Sequence, residues 1–205
     1  MKKDISKTNN EAFDRDGYFV IKNLCDPELL RDQIPEKRGR FHYHGSLDKF
    51  DHFEEEEQVS GSVARYFYPR YKGVHTLVRR HLEKHIGKKL YNTYYYDRFY
   101  FPGQELSRHV DRDACEISVS IHISTSLKED WPLCIETPSG ESKSLCLSPG
   151  DGMVYKGRER PHWRDPMPGK SKGWFNKKED YFHQIFFHYV LADGYFAHCA
   201  FDAAR

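Results

Sequence analysis

The feature that most constrains the fold is a series of short strand-like runs, rich in aromatic and β-branched residues, that begins at Leu90. In order, the runs read YNTYYYDRFYF, ELSRHVD, CEISVSIHIS, WPLCIE, SKSLCLS, GMVYKG, RPHWR and DYFHQIFFHYV. Turn-forming pairs interrupt the series at Pro102-Gly103, Ser139-Gly140, Pro149-Gly150 and Pro168-Gly169. Short strands separated by such turns are typical of an antiparallel sandwich or barrel. The order therefore predicts a mainly β fold with N-terminal helices that brace a jelly-roll core.

Local signals before this series predict the bracing elements. An Asp-Gly turn precedes a strand at Tyr18–Ile21. Asp26 is a good N-cap residue and Pro27 follows it, so we expect a helix to begin there. Apolar residues recur at helical spacing from Val74 to Ile86, and Gly87 stands where a C-cap residue belongs. This second helix should be amphipathic and pack on the sheet.

The chain contains no internal repeat and no low-complexity linker, so we treat it as one domain. Residues 35–61 are polar and irregular and include four consecutive glutamates, Glu54–Glu57. Two interpretations of this segment stay open: a solvated surface loop, or a mobile flap over a pocket. Whether a second loop, 167–180, acts as a lid is open as well. The expected division of 1–205 is N-terminal support and flap (1–90), jelly-roll core (91–192) and C-terminal tail (193–205).

Composition narrows the class of protein. The 32 basic and 31 acidic residues give a formal charge of +1, which does not predict an electrostatic nucleic-acid binder. Five scattered cysteines without a CxxC pair suit reduced thiols in a cytoplasmic protein. There is no long apolar run and no apolar leader, so we expect no membrane association. The oligomeric state is left open.

One motif in the strand series has the chemistry of a metal site. His109 and Asp111 are two residues apart in a strand-like run, so both side chains should project to the same side. An imidazole and a carboxylate are two of the three ligands of the facial triad that holds non-heme Fe(II). Two other pairs also match, His52-Phe-Glu54 and His81-Leu-Glu83. The latter lies on the predicted helix, where i and i+2 point about 200° apart, and the former lies in the acidic loop without a scaffold.

The strand order offers a third ligand, His162, in the run RPHWR. Four strand-like runs separate Asp111 from His162, about what a jelly roll needs to return a late strand beside an early one. The intervening run EISVSIHI alternates, which leaves two interpretations of Ser118 and Ser120. They either line a cavity or belong to the wet outer face of a sandwich strand.

The order FxxDGYxVIKN, YxxGxxxxxHxD, PGD…Y and PHWR resembles the Fe(II)/2-oxoglutarate-dependent dioxygenases, in particular their prolyl-4-hydroxylase-like and phytanoyl-type branches. The resemblance runs from about Phe13 to Val190 and implies a double-stranded β-helix (cupin-like) core. It implies Fe(II) held by the triad His109, Asp111 and His162, with 2-oxoglutarate and O₂ as co-substrates.

The family usually supplies a cation for the far carboxylate of 2-oxoglutarate about ten residues after the distal histidine, and this chain departs from that pattern. Lys170 and Lys172 fall there, but in a loop. Our choice is Arg164, which should face the same side as His162 and can bind a carboxylate through two N–H groups. The further co-substrate candidates are Tyr100 as a hydroxyl donor, Ser118 as a cavity residue, and His183 and Gln184 in reserve. Arg158 and Arg160 are interpreted as solvated hairpin residues.

The activity implied by the resemblance is hydroxylation of a C–H bond, with succinate and CO₂ as co-products. The expected substrate is an amino acid, a peptidyl side chain or a small metabolite, and no nucleic acid is expected. Two other classes stay open: a non-enzymatic cupin-like protein that binds a metal or ligand, and a metal-dependent isomerase or hydrolase on the same scaffold.

Overall fold

The structure is a computed structural model that describes residues 5–44, 50–173 and 178–201; of residues 5–9 only the backbone is described. These residues form two β-sheets and a small set of helices. The strands, in chain order, are β1 (Tyr18–Ile21), β2 (Gly39–Tyr43), β3 (Phe50–Glu54), β4 (Val63–Tyr66), β5 (Leu90–Tyr100), β6 (Leu106–His109), β7 (Ile117–Thr125), β8 (Leu133–Glu136), β9 (Ser142–Leu145), β10 (Gly152–Tyr155), β11 (His162–Arg164) and β12 (Phe182–Leu191).

The α-helices are α1 (Ile5–Asp16), α2 (Pro27–Leu30) and α3 (Lys72–Ile86), and short 3-10 turns occupy Pro69–Tyr71, Asp113–Cys115 and Tyr195–Cys199. The predicted helix signals are confirmed. The Asp26 side chain accepts a hydrogen bond from the Glu28 backbone N–H at 3.0 Å, and Gly87 ends α3 with a φ of 71°. None of the described helices combines the length and the apolar character needed to cross a membrane.

The two sheets have the strand exchange of a jelly roll. The large sheet runs β1-β10-β7-β12-β5-β4-β2-β3, and the small sheet runs β6-β11-β8-β9. All eight predicted runs became strands, β5–β12. Consecutive strands among them alternate between the two sheets, except that β8 and β9 form an antiparallel pair within the small sheet. The predicted mainly β fold with a jelly-roll core is therefore confirmed, and strands β1 to β4 of the N-terminal part extend its large sheet.

The prediction of an irregular loop at 35–61 is wrong at Gly39–Tyr43 and Phe50–Glu54, which form strands. β2 pairs with β3 in antiparallel fashion and with β4 in parallel, which adds these strands beyond β5. The aromatic residues of the segment explain this, because Phe41 and Phe53 pack in a cluster with Val63 and Phe99. Residues 45–49 of this segment, and residues 174–177 of the second loop, lie outside the described residues.

The two faces of the large sheet differ in chemistry. One face packs its apolar side chains, among them Ile117, Val119 and Ile121 of β7, in a core cluster with residues of α3. The opposite face turns toward the small sheet, and here Ser118 and Ser120 are fully buried. The wet-face interpretation of β7 is therefore wrong, because its polar residues lie between the sheets.

Candidate metal centre

The two histidines of the predicted triad meet across the pairing of β6 with β11. His109 ends β6, His162 begins β11, and the two residues are register partners. Asp111 lies beyond the end of β6, so the expectation that it projects from a strand is wrong; its backbone N–H instead donates to the Gly157 carbonyl at 2.9 Å. Its carboxylate oxygen Oδ1 is 3.5 Å from Nε2 of each histidine. One ligand atom from each of the three residues thus lies within 4.8 Å of the others.

Hydrogen bonds aim each of these groups at the common centre. Nδ1 of His109 is 2.8 Å from the Ser107 carbonyl, and Nδ1 of His162 is 3.0 Å from the Arg160 carbonyl. Because a carbonyl only accepts, each Nδ1 carries the proton and each Nε2 offers its lone pair to the centre. The arrangement is one a divalent metal ion can use without any change of tautomer.

The carboxylate of Asp111 is oriented by its other oxygen. Oδ2 accepts a hydrogen bond from the Ser118 hydroxyl at 2.8 Å, and the same hydroxyl is 3.0 Å from Nδ1 of His188. Ser118 therefore donates to Asp111 and accepts from His188, which leaves Oδ1 free to bind a metal. We predicted that Ser118 contacts a co-substrate. The structure instead places its hydroxyl in hydrogen bonds to Asp111 and His188.

The backbone of Gly157 packs directly against the Asp111 carboxylate and leaves no room for a side chain. A Cβ atom at this position would lie 2.3 Å from Asp111 Oδ2, 2.5 Å from the Ser118 hydroxyl oxygen and 2.6 Å from the Cys115 carbonyl oxygen. Such distances are far below van der Waals contact, so only glycine permits the Ser118–Asp111 hydrogen bond in this geometry.

The electrostatics of the triad favour a bound cation. Burial by itself raises the pKa of the Asp111 carboxyl, but His162 and His109 hold that pKa well below its ordinary value. Burial lowers the pKa of His109, but its contacts with Asp111 and Ser107 outweigh this and raise it. A metal ion would replace the proton that this pairing draws onto the imidazole, because ligands bind in their deprotonated form.

A second group of potential ligand atoms, from Asp111, Cys115 and His188, adjoins the first and shares Asp111 with it. Ser118 already bridges two of its members. His188 is buried, and burial lowers its pKa to about 4, so it is neutral at physiological pH. We regard this group as the support of the first centre.

Arg164 lies deeper between the sheets, two residues along β11 from His162. Its side chain is buried, with Nη1 donating to the Trp131 carbonyl and Nη2 donating to Gln184 Oε1 at 3.1 Å. Nε has no partner, and no carboxylate pairs with this guanidinium in the described part of the chain. Burial lowers the pKa of Arg164 to about 10, so it remains a cation at neutral pH and lacks a counter-ion.

Several other buried polar atoms near Arg164 are also without partners. Buried polar groups are almost always satisfied in native proteins, so a cluster of orphans indicates a missing polar ligand or water. Four polar atoms on the same sheet face as Gln184 have no hydrogen-bond partner among the described residues: Tyr100 Oη, Gln184 Nε2, Ser120 Oγ and His122 Nε2. Arg164 and this face of the large sheet thus present unpartnered hydroxyl, amide and guanidinium groups of the kind that donate to an anionic ligand.

His183 lies on the opposite face from these groups. Its Nε2 is 2.8 Å from Asp97 Oδ2, and Asp97 in turn pairs with Arg65. The structure therefore does not bring His183 to the site, whereas it brings Tyr100, Arg164 and Gln184 together. Adjacent residues of a strand point to opposite faces, so His183 and Gln184 could not both bind the co-substrate.

Sequence reasoning missed Gln58, Arg98, Gly157 and His188. Arg98 and His188 could have been found from strand alternation. Arg98 shares a strand face with Tyr100, two residues away on β5, and His188 shares one with Gln184, four residues away on β12. Gln58 and Gly157 carried none, because each reaches the site through the fold of a connecting segment.

Neither a protein-family model nor a curated protein sequence matches the chain. Solved structures do match. A Pseudomonas putida prolyl-4-hydroxylase is 14% identical over 89% of this chain and 98% of its own, with a TM-score of 0.58. A 2OG-Fe(II) oxygenase family oxidoreductase from Burkholderia pseudomallei is 10% identical over 90% of each chain, with a TM-score of 0.63.

A third match is SnoN, an α-ketoglutarate-dependent non-heme epimerase of nogalamycin biosynthesis, at 11% identity over 91% of this chain and 83% of its own, with a TM-score of 0.58. At 10–14% identity these likenesses concern the fold. The chain therefore has the double-stranded β-helix fold of the Fe(II)- and 2-oxoglutarate-dependent oxygenases.

Proposed function

We propose that the protein is an Fe(II)- and 2-oxoglutarate-dependent oxygenase. The observation that carries the proposal is the combination of the triad His109, Asp111 and His162 with a buried guanidinium that has no counter-ion, Arg164, two residues away on the same strand. A metal-binding jelly roll without this chemistry would have no reason to keep an unpaired cation between its sheets.

The residues of the site fit both groups. Two imidazoles and one carboxylate on one side of a centre are the donor set of non-heme Fe(II) sites with open positions. The bound metal with 2-oxoglutarate would supply O₂ activation, coupled to decarboxylation to succinate and CO₂. Arg164 would bind the distal carboxylate of 2-oxoglutarate through its unpartnered Nε–H, with Tyr100 Oη and Gln184 Nε2 as further donors.

The apolar neighbours of Arg164 would exclude water from this contact. The rings of Trp131 and Phe182 lie 4.4 and 4.7 Å from the Arg164 guanidinium carbon, and Trp131 also packs edge-on against Tyr100. An ion pair shielded in this way is stronger than one in water, which favours a dianionic co-substrate over a neutral one.

The reaction we propose is hydroxylation of a C–H bond in an amino acid, a peptidyl side chain or a small metabolite. The likeness to a prolyl-4-hydroxylase supports it. Because the matched SnoN is an epimerase, the chemical outcome has to be read from the product. Succinate release in the presence of O₂, measured across a panel of amino acids, peptides and metabolites, identifies the substrate, and mass spectrometry of the product identifies the change.

The direct test is an anaerobic titration of the Fe(II)-loaded protein with 2-oxoglutarate. We expect the weak visible charge-transfer band of a chelated 2-oxo acid, and Asp111→Ala should abolish it together with metal binding. Arg164→Gln should raise the 2-oxoglutarate concentration for half-saturation by roughly 10–100-fold, the equivalent of one charged hydrogen-bonded contact. Arg158→Gln is the matched control, because Arg158 is exposed and pairs with Asp113 at 2.5 Å.

A non-enzymatic cupin-like protein gives a different result. It would bind a metal through the triad but show neither the band nor O₂-dependent succinate release. A metal-dependent isomerase or hydrolase would turn over its substrate without O₂. Either result would overturn the proposed activity while leaving the fold assignment intact.

A further inference from the structure

A second fully buried arginine projects from the same face of the large sheet as Gln184. Arg98 lies on β5 and is 0% exposed. In the large sheet it is the register partner of Gln184 on β12, and register partners project to the same face. Gln184 accepts a hydrogen bond from Arg164, so the side chains of both arginines lie on the face that turns toward the small sheet.

The hydrogen bonds of Arg98 are incomplete. Nη1 donates to Gln58 Oε1 at 2.9 Å, whereas Nε and Nη2 have no hydrogen-bond partner among the described residues. Nη2 does lie 3.2 Å from Glu56 Oε1, within ion-pair distance but without hydrogen-bond alignment. Two unused donors on a buried guanidinium are unusual, and they require a ligand or water.

Glu56 does not fully neutralise Arg98, because it is shared. Its two carboxylate oxygens also accept from Arg40, through Nη2 at 3.1 Å and Nε at 3.3 Å, and from the Gln58 backbone N–H at 3.0 Å. The aligned hydrogen bonds of Glu56 thus go to Arg40 and Gln58. Arg98 receives only the electrostatic part of the interaction.

The position of Arg98 differs from that of Arg164 in one respect. Gln58, which accepts from Arg98, places its amide nitrogen 3.4 Å from His109 Nε2, the nitrogen that faces the metal centre. Arg98 is therefore one side chain away from the metal centre, whereas Arg164 contacts Trp131 and Gln184 at the deep end. Tyr100 interacts with both arginines: its ring is 5.6 Å from the Arg98 guanidinium carbon, and it interacts electrostatically with Arg164.

We propose that Arg98 binds the metal-chelating carboxylate of 2-oxoglutarate, so that Arg98 and Arg164 hold the two ends of one dianion. This inference rests on the proposed function. A 2-oxo acid chelates a metal through its keto oxygen and one carboxylate oxygen, which leaves the other carboxylate oxygen free to accept from a guanidinium. The two orphaned donors of Arg98 are the groups that would fill this role.

The test separates the two ends of the ligand. Oxalate chelates a metal through carboxylates and has no distal group, whereas 2-oxoglutarate has both ends. Mn(II) affinity is measured first for each variant by calorimetry, and oxalate and 2-oxoglutarate are then titrated into the Mn(II)-loaded proteins. We expect Arg98→Gln to bind both ligands roughly 10–100-fold more weakly. Arg164→Gln should lose affinity for 2-oxoglutarate alone.

Two further variants control for charge and fold. Arg158→Gln removes an exposed guanidinium that pairs with Asp113, and this variant should bind both ligands as the wild type does. Arg98→Lys keeps the charge without the planar fork and should fall between wild type and Arg98→Gln, which provides the test if Arg98→Gln does not fold. Thermal unfolding establishes that each variant is native before titration.

The outcomes distinguish this inference from the proposed function. If Mn(II)-loaded wild type does not bind 2-oxoglutarate, the proposed function fails and the inference with it. If wild type binds 2-oxoglutarate but the Arg98 variants bind oxalate normally, or lose Mn(II) itself, the assignment of Arg98 is overturned and the proposed function stands.

Discussion

Replacing Gly157 by alanine tests whether a single hydrogen bond orients the Asp111 carboxylate in the proposed metal centre. The added Cβ would lie 2.3 Å from Asp111 Oδ2 and 2.5 Å from the Ser118 hydroxyl oxygen, the two atoms joined by a 2.8 Å hydrogen bond. No relaxation that leaves both atoms in place can accommodate a methyl group there. The Asp111 carboxylate must therefore turn or move away from Ser118, and its Oδ1 moves with it.

The size of the effect follows from what is lost. A hydrogen bond to a charged group contributes about 1.5–3 kcal/mol, and about 1.4 kcal/mol corresponds to a factor of ten in an equilibrium constant. Metal affinity should therefore fall by roughly 10–150-fold. Overpacking by one methyl group adds a destabilisation of about 1–3 kcal/mol, which thermal unfolding of the metal-free protein measures separately.

The assay is calorimetric titration with Mn(II) at a temperature where the variant is folded. Gly73→Ala in α3 is the matched control: a Cβ at that position meets nothing within 4 Å, so metal affinity should be unchanged and stability slightly increased. If Gly157→Ala binds Mn(II) within about twofold of wild type, the Ser118–Asp111 hydrogen bond does not position the ligand and the reasoning is refuted.

Three further predictions concern the supporting structure. Ser118→Ala should weaken Mn(II) binding roughly tenfold, as measured by the same titration, because it removes the donor to Asp111 without adding a clash. Asp97→Asn should destabilise the fold by about 3–5 kcal/mol in urea denaturation, since it leaves the buried Arg65 without its main counter-charge; a change below about 1 kcal/mol would contradict this. His75 is buried, and burial lowers its pKa to about 3. As the pH falls, His75 is therefore protonated in the unfolded chain before it is protonated in the folded protein. Stability from His75 is thus fully present above pH 6.5 and declines toward pH 3 by up to about 1.4 kcal/mol per pH unit, and His75→Gln should flatten the pH profile of the unfolding free energy.

The strand series and the convergence of His109, Asp111 and His162 could be predicted from sequence because each depends on a local pattern. A period of two, turn residues and the strand order were enough to pair His109 with His162 and to select Arg164. Asp111 was chosen for the wrong geometric reason, since it lies beyond the strand and is placed by a hydrogen bond to Gly157. The chemistry of an HxD motif tolerates that error because its ligands need only converge.

What could not be predicted depended on contacts between distant segments. The glutamate run looked like a solvated surface, yet Glu56 is buried because two arginines from β2 and β5 surround it. Alternation placed Ser118 opposite the isoleucines of β7 but left open whether that face is buried, and it could not identify Asp111 as the partner of Ser118. The choice between His183 and Gln184 depended on which side of β12 faces the small sheet, and that is set by register with β5 and β7.

The short pairing of β4 with β5 has a consequence for local opening of the fold. Its four register pairs join the strands β4, β2 and β3 to the rest of the large sheet, and the segment that carries Gln58 belongs to this extension. The Arg65–Asp97 ion pair spans this ladder on one face, while the adjacent Arg98 projects from the other. Fluctuations that part β4 from β5 would therefore move Gln58 away from Arg98 and His109 without unfolding the jelly roll. Ligand binding should then slow hydrogen exchange of the β4 amides more than that of the β10 amides. Opening of the β4–β5 pairing would in that case be coupled to ligand binding.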